Sequence, residues 1–90
     1  MIYKSKVGDI DLSKITRLYP AALIDAQGEV AEMSLEWIEM NEDKVKLLNY
    51  VLVFDFTPQG SDEKKRTVLE FEKRDELITA MTEVAQFFQD

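Results

Sequence analysis

Ninety residues suffice for one small domain, and a hydrophobic content of 46% is enough to give that domain a core. The 18 acidic residues outnumber the 11 basic ones for a net charge of −7, which opposes nucleic acid and anionic membrane surfaces unless the cations cluster. With no cysteine and no histidine, the chain has no disulfides, thiolate nucleophiles, imidazole bases or usual zinc ligands. No uninterrupted apolar stretch reads as a signal peptide or a bilayer span, and the missing cysteines fit a reducing compartment. The expectation is a soluble cytoplasmic protein without a cofactor and without membrane insertion.

The chain begins with a weak apolar and basic alternation over Ile2 to Val7, a first strand, followed by a turn at Gly8-Asp9. Ile10, Leu12 and Ile15 resume an extended pattern, and ITRLYPAALI from Ile15 to Ile24 reads as another strand. Pro20 has no amide proton to donate, which places it at an edge or a break. Asp25-Ala26-Gln27-Gly28 suits a hairpin built on a type I turn with a left-handed glycine.

Glu29 to Met40 is ambiguous. At period 2, Ala31, Met33, Leu35 and Trp37 share a face; at period 3.6, Glu29, Glu32, Glu36, Glu39 and Asp43 form an acidic stripe. The short connections at both ends favour strand, paired with the next segment so that Trp37 faces Leu48, Leu35 faces Tyr50 and Met33 faces Leu52.

Lys46 to Phe56, KLLNYVLVFDF, is the clearest strand, and RTVLEFE after the polar loop is the next. Setting Phe56 opposite Lys65 brings Phe71 to Tyr50, Leu69 to Leu52 and Arg66 to Asp55. The large apolar residues then share one face. The C-terminal stretch EKRDELITAMTEVAQFFQD follows as an amphipathic helix, with Leu77, Ile78, Met81, Val84, Ala85 and Phe88 at three-and-four spacing. It is expected to cover Tyr50, Leu52, Phe54, Leu69 and Phe71, with Phe88 buried. The fold class is therefore α+β: a single domain, residues 1–90, of about five antiparallel strands in a meander with one C-terminal amphipathic helix.

Chemistry-bearing patterns are sparse. Asp9 and Asp11 could share a face and hold a hard cation, but no third oxygen ligand follows at loop spacing, so surface aspartates are preferred. With three glycines in the chain there is no glycine-rich phosphate loop, and no catalytic triad can be assembled. A Ser13–Lys14 pairing has nothing specific behind it, so no enzymatic activity is expected. Lys64, Lys65, Arg66, Lys73 and Arg74 are the candidate phosphate ligands, yet eight residues of extended chain separate the two groups by roughly 26 Å. The remaining signal is a second apolar face of the sheet, Val51, Val53 and Val68 with Leu47 near. It needs cover from Ile2, Val7, Ile10 and Leu12, or it meets a protein partner, a homodimer included. Trp37 is read as core rim.

IDLSKITRLYP resembles the "apolar, x, Leu-Ser-x-Ile" strand connection of bacterial pleckstrin-homology-like domains. KKRTVLEFEKRDELITAMTEVAQFF is similar to the last strand and capping helix of that superfold. The resemblance covers about half the chain and rests on hydrophobic patterns alone. It implies a partial roll and a binding or assembly scaffold. This chain departs from that pattern in having no basic loop between its early strands, so lipid-headgroup binding is not expected and no binding residue carries over. The leading expectation is a small non-enzymatic interaction module acting through protein contacts. The alternatives are a domain of that type binding a small ligand or phosphate, and, more distantly, a carboxylate or metal-dependent enzyme.

Overall fold

Ser5 and Gly8 close a first hairpin in which β1 (Ile2–Ser5) and β2 (Gly8–Asp11) pair antiparallel and Tyr3 lies opposite Ile10. The computed structural model describes residues 1–58, 60, 62–63 and 65–89. Asp11 accepts hydrogen bonds from the Ser13 N–H at 3.0 Å and the Ser13 hydroxyl at 2.7 Å, and this cap folds Leu12–Lys14 into a 3₁₀ turn.

The second hairpin joins β3 (Arg17–Ala26) to β4 (Glu29–Met33). Its loop is Gln27-Gly28 alone, with φ of 56° and 90°, so both central residues are left-handed. That is a two-residue type I′ turn, whose twist matches the strands, rather than the expected type I. Asp25 Oδ1 steadies it by accepting from the Gly28 N–H at 2.8 Å.

Glu29 to Met40 is not one strand. The strand stops at Met33; Ser34 accepts from the Trp37 N–H at 3.1 Å and starts helix α1 (Leu35–Asn41). Both periodicities in this segment are real and lie in succession, with the serine cap between them. The residues needed to pair with the following strand are thus spent on a helix, and the pairs Trp37–Leu48, Leu35–Tyr50 and Met33–Leu52 do not form. Instead β5 (Lys46–Asp55) pairs with β3, setting Tyr50 opposite Ala22 and Leu52 opposite Pro20, with a bulge at Leu23/Ile24. Because β4 reaches only Ala22 to Ala26, Pro20 sits where β3 has a neighbour on one side alone.

β6 (Arg66–Phe71) completes the sheet order β4-β3-β5-β6 in the expected register: Tyr50–Phe71, Leu52–Leu69 and Asp55–Arg66. The architecture is α+β, a four-stranded and a two-stranded antiparallel sheet with a C-terminal helix, α2 (Arg74–Ala85). Glu76 Oε1 accepts from the Lys73 N–H at 3.1 Å, and Asp75 and Glu76 sit at the positive end of the helix dipole.

All the covering elements lie on one face of the large sheet. Leu77, Ala80 and Val84 of α2 pack on Leu52, Phe54 and Leu69, and Tyr3, Ile10 and Leu12 extend the same core. Tyr50 and Phe71 join it half-buried. Ile38 of α1 covers Ala22 and Ile24 on that face, with Trp37 half-buried beside them. Trp37 therefore belongs to a helix packed on the sheet, not to a strand end. The first hairpin also does not cover the valine face. Ile10 and Leu12 turn towards the helix, while Ile2 and Val7 are exposed.

The buried stripe of α2 is 77, 80, 84, with Met81 beside it and Ile78 exposed. Phe88 is 51% exposed rather than buried. The chain tightens to a 3₁₀ turn over Gln86–Phe88, where three residues per turn swing Phe88 off the apolar stripe. Phe87 makes the aromatic contact instead, edge-on to Tyr3 at 6.3 Å. Among the described residues, no helix is long and apolar enough to cross a membrane.

Candidate functional site

The sheet face turned away from the helices is built from alternate residues of β3, β5 and β6. Arg17, Asp55 and Arg66 form its first row, Tyr19, Val53 and Val68 the second, and Ala21, Val51 and Glu70 the third. The three valines singled out in the sequence do come together: Val68 stands directly opposite Val53, and Val51 follows on the same face. They differ in access. Val51 and Val53 are buried with Ala21 under half-buried Tyr19 and Leu23, whereas Val68 remains 41% exposed. Leu47, past the bulge and opposite Ile24, is exposed.

Tyr19 is the cover that the sequence did not reveal. Its ring packs against Ala21, Val51 and Val53, and its phenol comes under the influence of the Glu32 carboxylate, which lies opposite Leu23 on the next strand. Burial, reinforced by the Glu32 carboxylate, raises its pKa. The Arg17 and Arg66 guanidinium groups stand 4.8 and 5.9 Å from the ring centroid. The alternation Arg17, Tyr19, Ala21, Leu23 was the available signal, but it appears only once Pro20 is accepted inside the strand.

Asp55 anchors the first row. Its side chain accepts from the Thr57 N–H at 2.9 Å and lies 3.8 Å from Arg66 Nε. Bonding from Thr57, with a smaller contribution from Arg66, holds its carboxyl below the usual aspartate range. Its backbone carbonyl accepts from the Thr16 amide at 2.8 Å and the Thr16 hydroxyl at 3.0 Å.

β6 is an end strand, and its register tells which groups point outward. The Phe56 N–H donates to the Lys65 carbonyl at 2.7 Å, so Lys65, Thr67, Leu69 and Phe71 turn their amides and carbonyls to β5. Arg66, Val68 and Glu70 turn theirs away from the sheet. The Glu70 carbonyl accordingly accepts from Lys6 Nζ, whose ammonium also stands 4.1 Å over the Phe71 ring. Among the described residues this is the one bond made to that edge. A shallow groove follows it, walled by Val7, Leu48, Val68 and Phe71. Asn49 also lines the groove; its side-chain oxygen is enclosed without a donor among the described residues.

The basic residues remain divided. Lys65 and Arg66 stand at one end of β6, Lys73 and Arg74 beyond the other, and Lys64 lies outside the described residues. Arg66 pairs with Asp55, and Arg74 Nη2 lies 2.5 Å from Glu39 Oε1 of α1. Lys46 is opposite Asp25. Lys65 also borders a hollow of about 670 Å³ between the first hairpin and the start of β6, with Lys14, Asp9 and Asp11 on its rim and Phe56 and Ile10 among its apolar walls. Asp11 is committed to Ser13, whose hydrogen bonds lower its pKa. Among the described residues, no three carboxylates converge as a metal site.

No protein-family model matches this chain, no curated protein is significantly similar to it, and no solved structure matches its fold.

Proposed function

We propose that this chain is a small non-enzymatic interaction module that binds protein through β6 and the adjoining face of the sheet. The observation that carries this reading is the one-sided architecture. Both helices and the first hairpin pack on one face, and β6 keeps outward amides, exposed Val68 and a groove of mixed character beside them, in which Val7, Leu48 and Phe71 alternate with charged side chains. An unpaired strand edge flanked by apolar side chains is the template that β-augmentation uses, with main-chain bonds giving affinity and side chains giving specificity. Val51 and Val53 support this surface from beneath, and Val68 contacts the partner. The cysteine-free composition supports a reducing, cytoplasmic setting for such a module.

A photo-crosslinking residue at position 68, with Thr79 on the exposed side of α2 as control, tests this in the expressing cell. Discrete adducts at 68 and none at 79 are expected. No adduct at 68, or equal adducts at both, overturns the reading.

One observation favours a second reading, small-anion binding of the pleckstrin-homology-like kind: the hollow bordered by Lys14 and Lys65. Titration with inorganic phosphate should then shift the Lys65 and Thr67 amide resonances, and unmoved resonances at millimolar phosphate reject it.

A further inference from the structure

The outward positions of β6 read Arg66, Val68, Glu70, and this trio is charge-complementary to itself when reversed about its centre. Placed antiparallel to a second copy with Val68 opposite Val68, Arg66 of each chain meets Glu70 of the other. Both ion pairs then lie on the sheet face that no helix covers. Registers shifted by two residues lose this match, because they set Arg66 against Val68 or Val68 against Glu70. Directly opposed unlike charges and apolar pairs stabilise a ladder, and like charges destabilise it.

We propose that β6 pairs with β6 of a second copy about a two-fold axis through the Val68 pair, joining two four-stranded sheets into one of eight. This rests on the reading of β6 as an interaction edge and names its occupant. The chain carries −7 overall and repels its own kind, yet the three outward positions sum to zero charge. A closed two-fold pairing also consumes the free edge of both copies, so assembly stops at the dimer on this side. Lys6 guards the end of the edge by donating to the Glu70 carbonyl. A carbonyl has two lone pairs, so that oxygen still accepts the Arg66 N–H of the second copy.

Sedimentation of the whole chain at low salt tests the pairing. The wild type should sediment at twice its 10.4 kDa mass at high concentration. Glu70→Arg opposes two arginines and Arg66→Glu opposes two glutamates, so each variant alone should be monomeric. Their equimolar mixture should dimerise, because every opposed pair is again unlike. Val68→Pro, which deletes an N–H pointing away from β5, should be monomeric while keeping the wild-type circular dichroism. A monomeric wild type, dimers of both charge variants alone, or a mixture that stays monomeric overturns the proposal. Adducts at position 68 carrying a foreign mass, beside a monomeric wild type, sink the second copy and keep the interaction module; no adducts at all sink both.

Discussion

Leu77 and Phe88 lie eleven residues apart on the C-terminal segment, and the structure assigns them opposite energetic roles. Leu77 is 0% exposed in the main core cluster, against Leu52, Phe54 and Leu69. Leu77→Ala removes a buried isobutyl group and leaves a cavity that the surrounding sheet fills only in part, a loss of about 2–5 kcal/mol. In a domain of this size each kcal/mol lowers the melting midpoint by roughly 4–8 °C, so a loss of about 3 kcal/mol lowers it by roughly 12–24 °C. Phe88, half exposed in the final 3₁₀ turn, loses little buried area on truncation. Phe88→Ala should cost less than about 1 kcal/mol, a substitution of the surface class. Urea titration of the two variants beside the wild type, read by circular dichroism, separates the cases. Equal destabilisation by Leu77→Ala and Phe88→Ala, or a larger effect of Phe88→Ala, refutes the assigned core face.

Three further perturbations follow from individual contacts. Because the folded-state pKa of Asp55 is depressed, its stabilisation is present above the ordinary aspartate value of 3.8 and is lost as pH falls through the folded-state value. The urea midpoint of Asp55→Asn should therefore lie below wild type at pH 7, with the gap closing on acidification below about pH 4; a gap that is constant from pH 7 to pH 3 contradicts this. Asn49→Leu replaces an enclosed, undonated amide oxygen with an apolar group of similar shape. It should be neutral or stabilising, and a loss above about 1 kcal/mol in thermal melts argues against it. Ser34→Ala deletes the cap that divides β4 from α1 and should cost about 1 kcal/mol, with chemical shifts showing a frayed first turn of α1; unchanged shifts over residues 35–38 count against the cap.

What could be read from the sequence was the part governed by local alternation. Tyr50, Leu52, Leu69 and Phe71 sit on strands joined through one loop, so matching apolar faces fixed their register to the residue. The partner of β5 on its other side was hidden, because β3 lies upstream of α1 and carries Pro20 in its middle. Over residues 29–40, a period-2 segment and a period-3.6 segment adjoin, and only the Ser34 cap marks the change. Phe88 was misplaced because helical spacing was extended through a turn of different pitch.

The candidate surface was legible in the same partial way. The valines are visible as a second apolar face, but the cover that Tyr19 gives two of them depends on the pairing of β3 with β5, which local alternation does not encode. Lys6 reaches Glu70 across 64 positions of sequence, a contact that no local pattern encodes.

Amide hydrogen exchange at Val68 and Leu69, compared between dilute and concentrated protein, bears most directly on the role given to the β6 edge. The Leu69 N–H, turned to β5, should be protected at both concentrations. The Val68 N–H, turned outward, should exchange freely when dilute and become protected when concentrated. A Val68 amide protected alike at both concentrations would show that the edge is already closed within the single chain, and one exchanging freely at both would show that no second copy covers it.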